Sequence, residues 1–100
     1  MKDRILITGA TSGIGYEMAV QLAAKKYDLV LVARRLDKLS GLKAILEQQH
    51  GIQVHVFAKD LSEVTQAVNL YEEVKKAGLE VTMLVNNAGI TKDTMFHKMT

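Results

Sequence analysis

The segment Thr8-Gly9-Ala10-Thr11-Ser12-Gly13-Ile14-Gly15 carries the strongest chemical signal in the chain. Three glycines fall within seven positions, after the apolar run Ile5-Leu6-Ile7 and before a stretch with helical spacing. Glycine lets a backbone turn sharply and lets main-chain amides approach a ligand, because no Cβ stands in the way. The first amides of a helix have no partners within it, and the helix dipole adds positive potential at that end. A glycine-rich strand-to-helix turn is therefore suited to an anion such as a pyrophosphate. The plainer alternative is an ordinary glycine-rich turn. The strand before and the helix after favour a phosphate loop over this segment, Thr11 and Ser12 included.

Three further polar groups each follow an apolar run. Arg34-Arg35 ends the second run, and Arg34 lies nineteen residues beyond Gly15. Arginine can clamp a phosphate through two parallel N–H donors but cannot accept from a hydroxyl. The competing reading is a solvated arginine pair engaged with Asp37. Asp60-Leu61 follows the third run, where an acid can also serve as a favoured neighbour of a helix N-terminus. Asn86-Asn87-Ala88-Gly89 follows the fourth run and, taken alone, reads as a polar turn. Other chemistries are poorly supplied. The chain has no Cys, which excludes thiolate nucleophiles, disulfides and Cys-based zinc sites. His50, His55 and His97 show no metal-ligand spacing.

The elements that must position these groups follow from two alternating periods. Ile5–Ile7, Leu29–Ala33, Val54–Ala58 and Val81–Val85 read as strands. Between them, Ile14, Met18, Ala19, Leu22 and Ala23 give one helical stripe. Leu36, Leu39, Leu42, Ile45 and Leu46 give a second, ended by Gly51. Val64, Ala67, Val68, Tyr71 and Val74 give a third, followed by Gly78. The order is β-α-β-α-β-α-β. Nearly continuous apolar strands alternating with helices imply an α/β fold with a parallel sheet covered on both faces. A Rossmann-type doubly wound sheet is expected, here its first four strands in the order 3-2-1-4, with a crevice where the strand order reverses. The fourth strand would then be an unusually apolar edge.

With the strands in place, the resemblance is specific. TGATSGIG resembles the TGxxxGIG signature of the short-chain dehydrogenases/reductases, Asn86 to Gly89 resembles that family's NNAG motif, and Asp60-Leu61 resembles its Asp-hydrophobic pair. The resemblance covers essentially the whole chain. It implies that Gly9, Gly13, Ile14 and Gly15 line the cofactor phosphates, with Asp60 and Leu61 at the adenine. It implies that Asn86, Asn87, Ala88 and Gly89 lie by the nicotinamide ribose and brace the sheet. NAD-binding folds place an acid at the end of strand two, where this chain has Arg34-Arg35; NADP (as NADPH) is therefore expected over NAD.

The family's catalytic Ser, Tyr and Lys lie beyond its NNAG motif, so no catalytic residue is assigned within residues 1–100. The string Tyr71 to Lys75 has the Tyr-x-x-x-Lys form but precedes NNAG. Tyr71 is expected in the core and Lys75 in solvent. The chain reads as residues 1–100 of a single Rossmann-type domain, the N-terminal cofactor-binding part of an oxidoreductase acting on a small-molecule carbonyl or alcohol. A non-catalytic nucleotide-binding module or sensor is the alternative. The segment from Gly89 to Met95 resembles the ketoacyl and acetoacetyl thioester reductases. A homo-oligomer is expected of the complete enzyme.

Composition bounds the rest. The chain has 100 residues, 48% hydrophobic and 24% charged, with net charge +2. That balance suits one small folded domain and excludes a disordered or collagen-like chain. No basic run exceeds two residues and aromatics make up 5%, so no nucleic-acid partner is expected. The longest apolar stretch, Leu29 to Ala33, is far below a membrane span. No membrane association and a cytoplasmic location are expected.

Overall fold

The computed structural model describes residues 3–11 and 13–86. Seven elements alternate: β1 (Arg4–Thr8), α1 (Gly13–Ala24), β2 (Asp28–Ala33), α2 (Leu36–His50), β3 (Val54–Ala58), α3 (Val64–Lys76) and β4 (Met83–Asn86). The strands form one parallel sheet in the order β3-β2-β1-β4, as the apolar runs imply.

β1 and β2 read as continuous apolar runs because alternate residues feed two different cores. Ile5, Ile7, Leu29, Leu31 and Val54 meet Ala19 and Ala23 of α1 and Leu39, Leu42 and Leu46 of α2. Leu6, Val30 and Val32 point to the other face and meet Ala67, Leu70 and Val74 of α3. Two helices on one face and one on the other is the doubly wound arrangement.

The helix stripes are rotated from those the apolar residues suggest. In α1 the buried positions are Gly15, Ala19 and Ala23, while Ile14 is 71% exposed. Small residues at every fourth position let the helix sit close to the sheet, which leaves Met18 and Leu22 at the margin of the cluster. Leu36 and Ile45 of α2 and Val64 and Val68 of α3 are exposed, and Leu70 takes the buried place on α3. Tyr71 is therefore half-buried rather than a core residue, and Lys75 is not simply solvated: its Nζ stands 5.8 Å from the Tyr71 ring centroid.

Two helices end in the same motif with different residues. After α3, Leu79 N–H donates to Val74 O and Gly78 N–H to Lys75 O, with Gly78 at φ +73. After α1, Tyr27 N–H donates to Leu22 O and Lys26 N–H to Ala23 O, with Lys26 at φ +71. This is a Schellman cap, whose left-handed position favours glycine. Lys26→Gly should therefore raise stability by about 0.5–1 kcal/mol, the relieved Cβ strain being partly offset by glycine's greater unfolded entropy. A higher urea midpoint checks this. An unchanged or lower one would mean that the Lys26 Nζ bond to His50 O, at 2.9 Å, outweighs the strain.

β4 starts at Met83, two residues later than the apolar run suggests. Thr82 explains the difference. Its hydroxyl accepts from Arg4 N and donates to Arg4 O, both at 3.2 Å, and its own N–H donates to Arg4 O at 2.9 Å. A side chain thus takes over part of the ladder there. Val81, just before it, is buried in the second cluster. Among the described residues β4 is an edge, and Met83 is half-exposed.

The amino end of the sheet is polar. Asp28 Oδ1 accepts from Gln53 N at 3.0 Å, and Glu47 Oε2 accepts from Val54 N at 3.0 Å. His55 of β3 lies in this setting. Burial first, then the charges of Arg4 and Lys43, push its pKa below the ordinary imidazole value, against opposing pulls from Glu47 and Asp28. The unfolded chain therefore takes up this proton at a higher pH than the folded chain. The His55 contribution is fully present above about pH 6.5 and is lost as pH falls through the folded value. Urea midpoints should drop as pH falls below about 6.5, and His55→Gln should flatten that decline. A decline of the same size in that variant would assign the pH dependence to another group.

Candidate functional site

Parallel strands bring all their carboxyl ends to one edge of the sheet, and the register fixes what meets there. Thr8 lies opposite both Val32 and Asn86, and Ala33 lies opposite Ala58. The loop from Gly9 therefore leaves β1 beside the ends of β2 and β4. Arg34 follows the last residue of β2, and Asp60 stands two residues beyond β3. Helix α1 then turns to one face and α3 packs on the other, so β1 and β4 flank the point where the winding reverses. Ligands of open α/β sheets bind in the crevice at such a point.

The loop is pinned at one end and open at the other. Ala10 is fully buried, and its N–H donates to Val32 O at 3.1 Å, which ties the loop across the end of β2. Gly9 has φ +64 and Gly13 has φ +55, both in the left-handed region that disfavours a Cβ. A Cβ built on Gly13 would meet no heavy atom within 4 Å. Among the described residues no neighbour demands glycine there; the backbone does, and the space beside it is open. Gly15 is buried against the sheet, while Thr11 is half-buried and Ile14 is exposed at the mouth of the loop. Open space beside the amino end of α1 fits a diphosphate.

Arg34 and Arg35 have different surroundings. Arg35 grips Asp37: Nε donates to Oδ1 at 3.2 Å and Nη2 to Oδ2 at 2.9 Å. This pair holds the Asp37 carboxyl below the ordinary carboxylate range. For Arg35, then, the pairing with Asp37 suggested by the sequence is present. Arg34 is exposed, and its charge reaches Asp60. The Asp60 carboxyl is lowered chiefly by hydrogen bonds from Ser62 and to a lesser degree by Arg34. Ser62 N–H and Oγ–H both donate to Asp60 Oδ1, at 3.0 and 2.6 Å.

Residues 3–100 match the family model for short chain dehydrogenase. The chain belongs to the short-chain dehydrogenase family. It is 43% identical over 90 residues to a very-long-chain 3-oxoacyl-CoA reductase of Pyrenophora tritici-repentis, covering 86% of this chain and 26% of that protein. It is 40% identical over 84 residues to a fatty acyl-CoA reductase of Acinetobacter baylyi, covering 84% of this chain and 28% of that protein. Among solved structures, a short-chain dehydrogenase from Sphingobium yanoikuyae in complex with NADPH superposes with a TM-score of 0.79 at 35% identity, covering 89% of this chain and 35% of that one. The chain thus spans about a quarter of the length of these curated relatives.

In this family member, Gly9, Thr11, Gly13, Ile14, Gly15, Arg34, Arg35, Asp60 and Leu61 all follow the carboxyl ends of β1, β2 and β3. Ser12, Asn87, Ala88 and Gly89 lie outside the described residues. Leu61 is buried in the second cluster, which anchors the segment bearing Asp60. Tyr71 and Lys75 are not part of the site, because Tyr71 sits about 10 Å along α3 from the helix start. Sequence reasoning missed two supports of Asp60. Ser62 could have been suspected, since Asp-x-Ser is the spacing of an Asx turn. Gln66, whose Oε1 accepts from Asp60 N at 2.6 Å, left no signal in the sequence. Lys59 adds an ion pair to Glu73 that ties the end of β3 to α3. Among the described residues, no cluster of His, Cys, Asp and Glu could hold a metal ion, and no helix is long and apolar enough to cross a membrane.

Proposed function

We propose that this chain is the dinucleotide-binding part of an NADP(H)-dependent short-chain dehydrogenase/reductase, with residues 1–100 belonging to one Rossmann-type domain. The observation that carries this reading is the convergence, on one sheet edge, of an open left-handed glycine loop, an arginine pair and a braced carboxylate. In the proposal, the amides at the start of α1 take the pyrophosphate, and the open space at Gly13 lets it approach. Arg34, aided by Arg35, meets the 2′-phosphate, which a terminal carboxylate would repel. Asp60, held by Ser62 and Gln66, accepts from the adenine amino group. The bound nicotinamide supplies or takes up the hydride.

The likeness to a solved relative that carries NADPH supports the choice of cofactor. The names of the curated relatives, 3-oxoacyl-CoA and fatty acyl-CoA reductases, favour an acyl thioester as the carbonyl substrate of the whole protein. Calorimetric titration of the chain tests the cofactor assignment. Saturable binding of NADPH, tighter than that of NADH, is expected. Binding of neither nucleotide would overturn the reading.

A further inference from the structure

The arginine pair is not uniformly available to a ligand. Asp37 already holds Arg35 through its Nε and Nη2, which is how a phosphate would also engage a guanidinium. The two side chains are 63% and 65% exposed, so the pair is screened and readily broken. Among the described residues Arg34 makes no such ion pair, and Asp60 acts on it only as a neighbouring charge. The two arginines therefore meet an incoming phosphate in different states. Asp37 sits in the first turn of α2, where the helix dipole favours a negative charge beside Arg35.

We propose that Asp37 is a built-in competitor for the 2′-phosphate, occupying Arg35 and so limiting how strongly the chain discriminates NADPH from NADH. This inference rests on the reading that the arginine pair faces that phosphate. A nucleotide with a 2′-phosphate must displace or share the Asp37 carboxylate, whereas one with a 2′-hydroxyl leaves the pair intact. Arg34 then carries most of the discrimination, and Asp37 is a specificity-determining residue that need not touch the nucleotide. The exposure of the pair keeps the effect modest: releasing Arg35 is worth about two- to fivefold in affinity.

The test is a double-mutant cycle read by calorimetric titration of the full chain with NADPH and with NADH. Asp37→Asn keeps an acceptor oxygen beside Arg35 but removes the charge. It should tighten NADPH about two- to fivefold, more at low salt, and leave NADH unchanged. In the Arg35→Gln background the same substitution should give only the smaller gain that comes from removing a like charge, an outcome that a purely structural role of Asp37 would not give. Unchanged or weaker NADPH binding by Asp37→Asn, with the wild-type preference for NADPH intact, overturns the competitor and leaves the cofactor reading standing. An equal gain in the Arg35→Gln background overturns it too. If neither the wild-type chain nor Asp37→Asn prefers NADPH, both the inference and the reading fall.

Discussion

Replacing Arg34 with Asp should abolish the preference for NADPH over NADH. Arg34 follows the last residue of β2, at the edge shared with the glycine loop, and its guanidinium is exposed. A hydrogen-bonded contact between charged groups contributes about 1.5–3 kcal/mol, and each 1.4 kcal/mol is a factor of ten in affinity. NADPH should therefore weaken by about ten- to a hundredfold in Arg34→Asp. NADH should change little or tighten, since the new carboxylate can accept from a 2′-hydroxyl. Arg35 should compensate only in part, because Asp37 competes for it. The substitution also sets a second acid near Asp60, so Arg34→Gln is the matched control that removes the clamp without adding charge. Titration calorimetry with both nucleotides reads the outcome. Full retention of the NADPH preference in both variants would show that the 2′-phosphate is met elsewhere.

The second large effect is expected at Gly13. With φ at +55, alanine there costs about 1–2 kcal/mol, and a β-branched residue is a true outlier. Gly13→Val should reduce binding of both nucleotides by more than about a hundredfold, because its side chain fills the space through which a phosphate must approach and its backbone is forced away from the loop conformation. Gly51 supplies the control. It caps α2 at φ +69, with nothing within 4 Å of its built Cβ, and it follows the opposite end of the sheet from the loop. Gly51→Val should carry a similar strain in urea denaturation yet leave nucleotide affinity intact. Equal losses of binding in the two variants would mean that Gly13 acts through stability alone.

The sequence announced strand positions better than helix faces, for a physical reason. The central residues of β1 and β2, Ile5 to Ile7 and Leu29 to Ala33, are buried on both sides, so each had to be apolar and the runs stood out. In α1 the buried stripe is Gly15, Ala19 and Ala23; an apolar count finds the two alanines but overlooks Gly15 and adds the exposed Ile14. The same bias hid Leu70 and promoted Tyr71. At the candidate site, the positions of the glycines and Asp60 were legible because they follow apolar strand runs. The role of Arg35 was not, because an arginine two residues from an aspartate is compatible with either partner. Gln66 was invisible because its bond to Asp60 N depends on how α3 starts at Val64, two residues before Gln66.

The most direct test of the central claim is to follow the backbone amides of the chain by NMR while adding NADPH and, separately, NADH. The amides of Gly9, Gly13, Gly15 and Asp60 should shift with both nucleotides, while those of Arg34 and Arg35 should respond chiefly to NADPH. His55, at the other end of β3's neighbourhood with Arg4, should not move. Shifts confined to that polar amino end, or none along the edge that follows β1, β2 and β3, would contradict it.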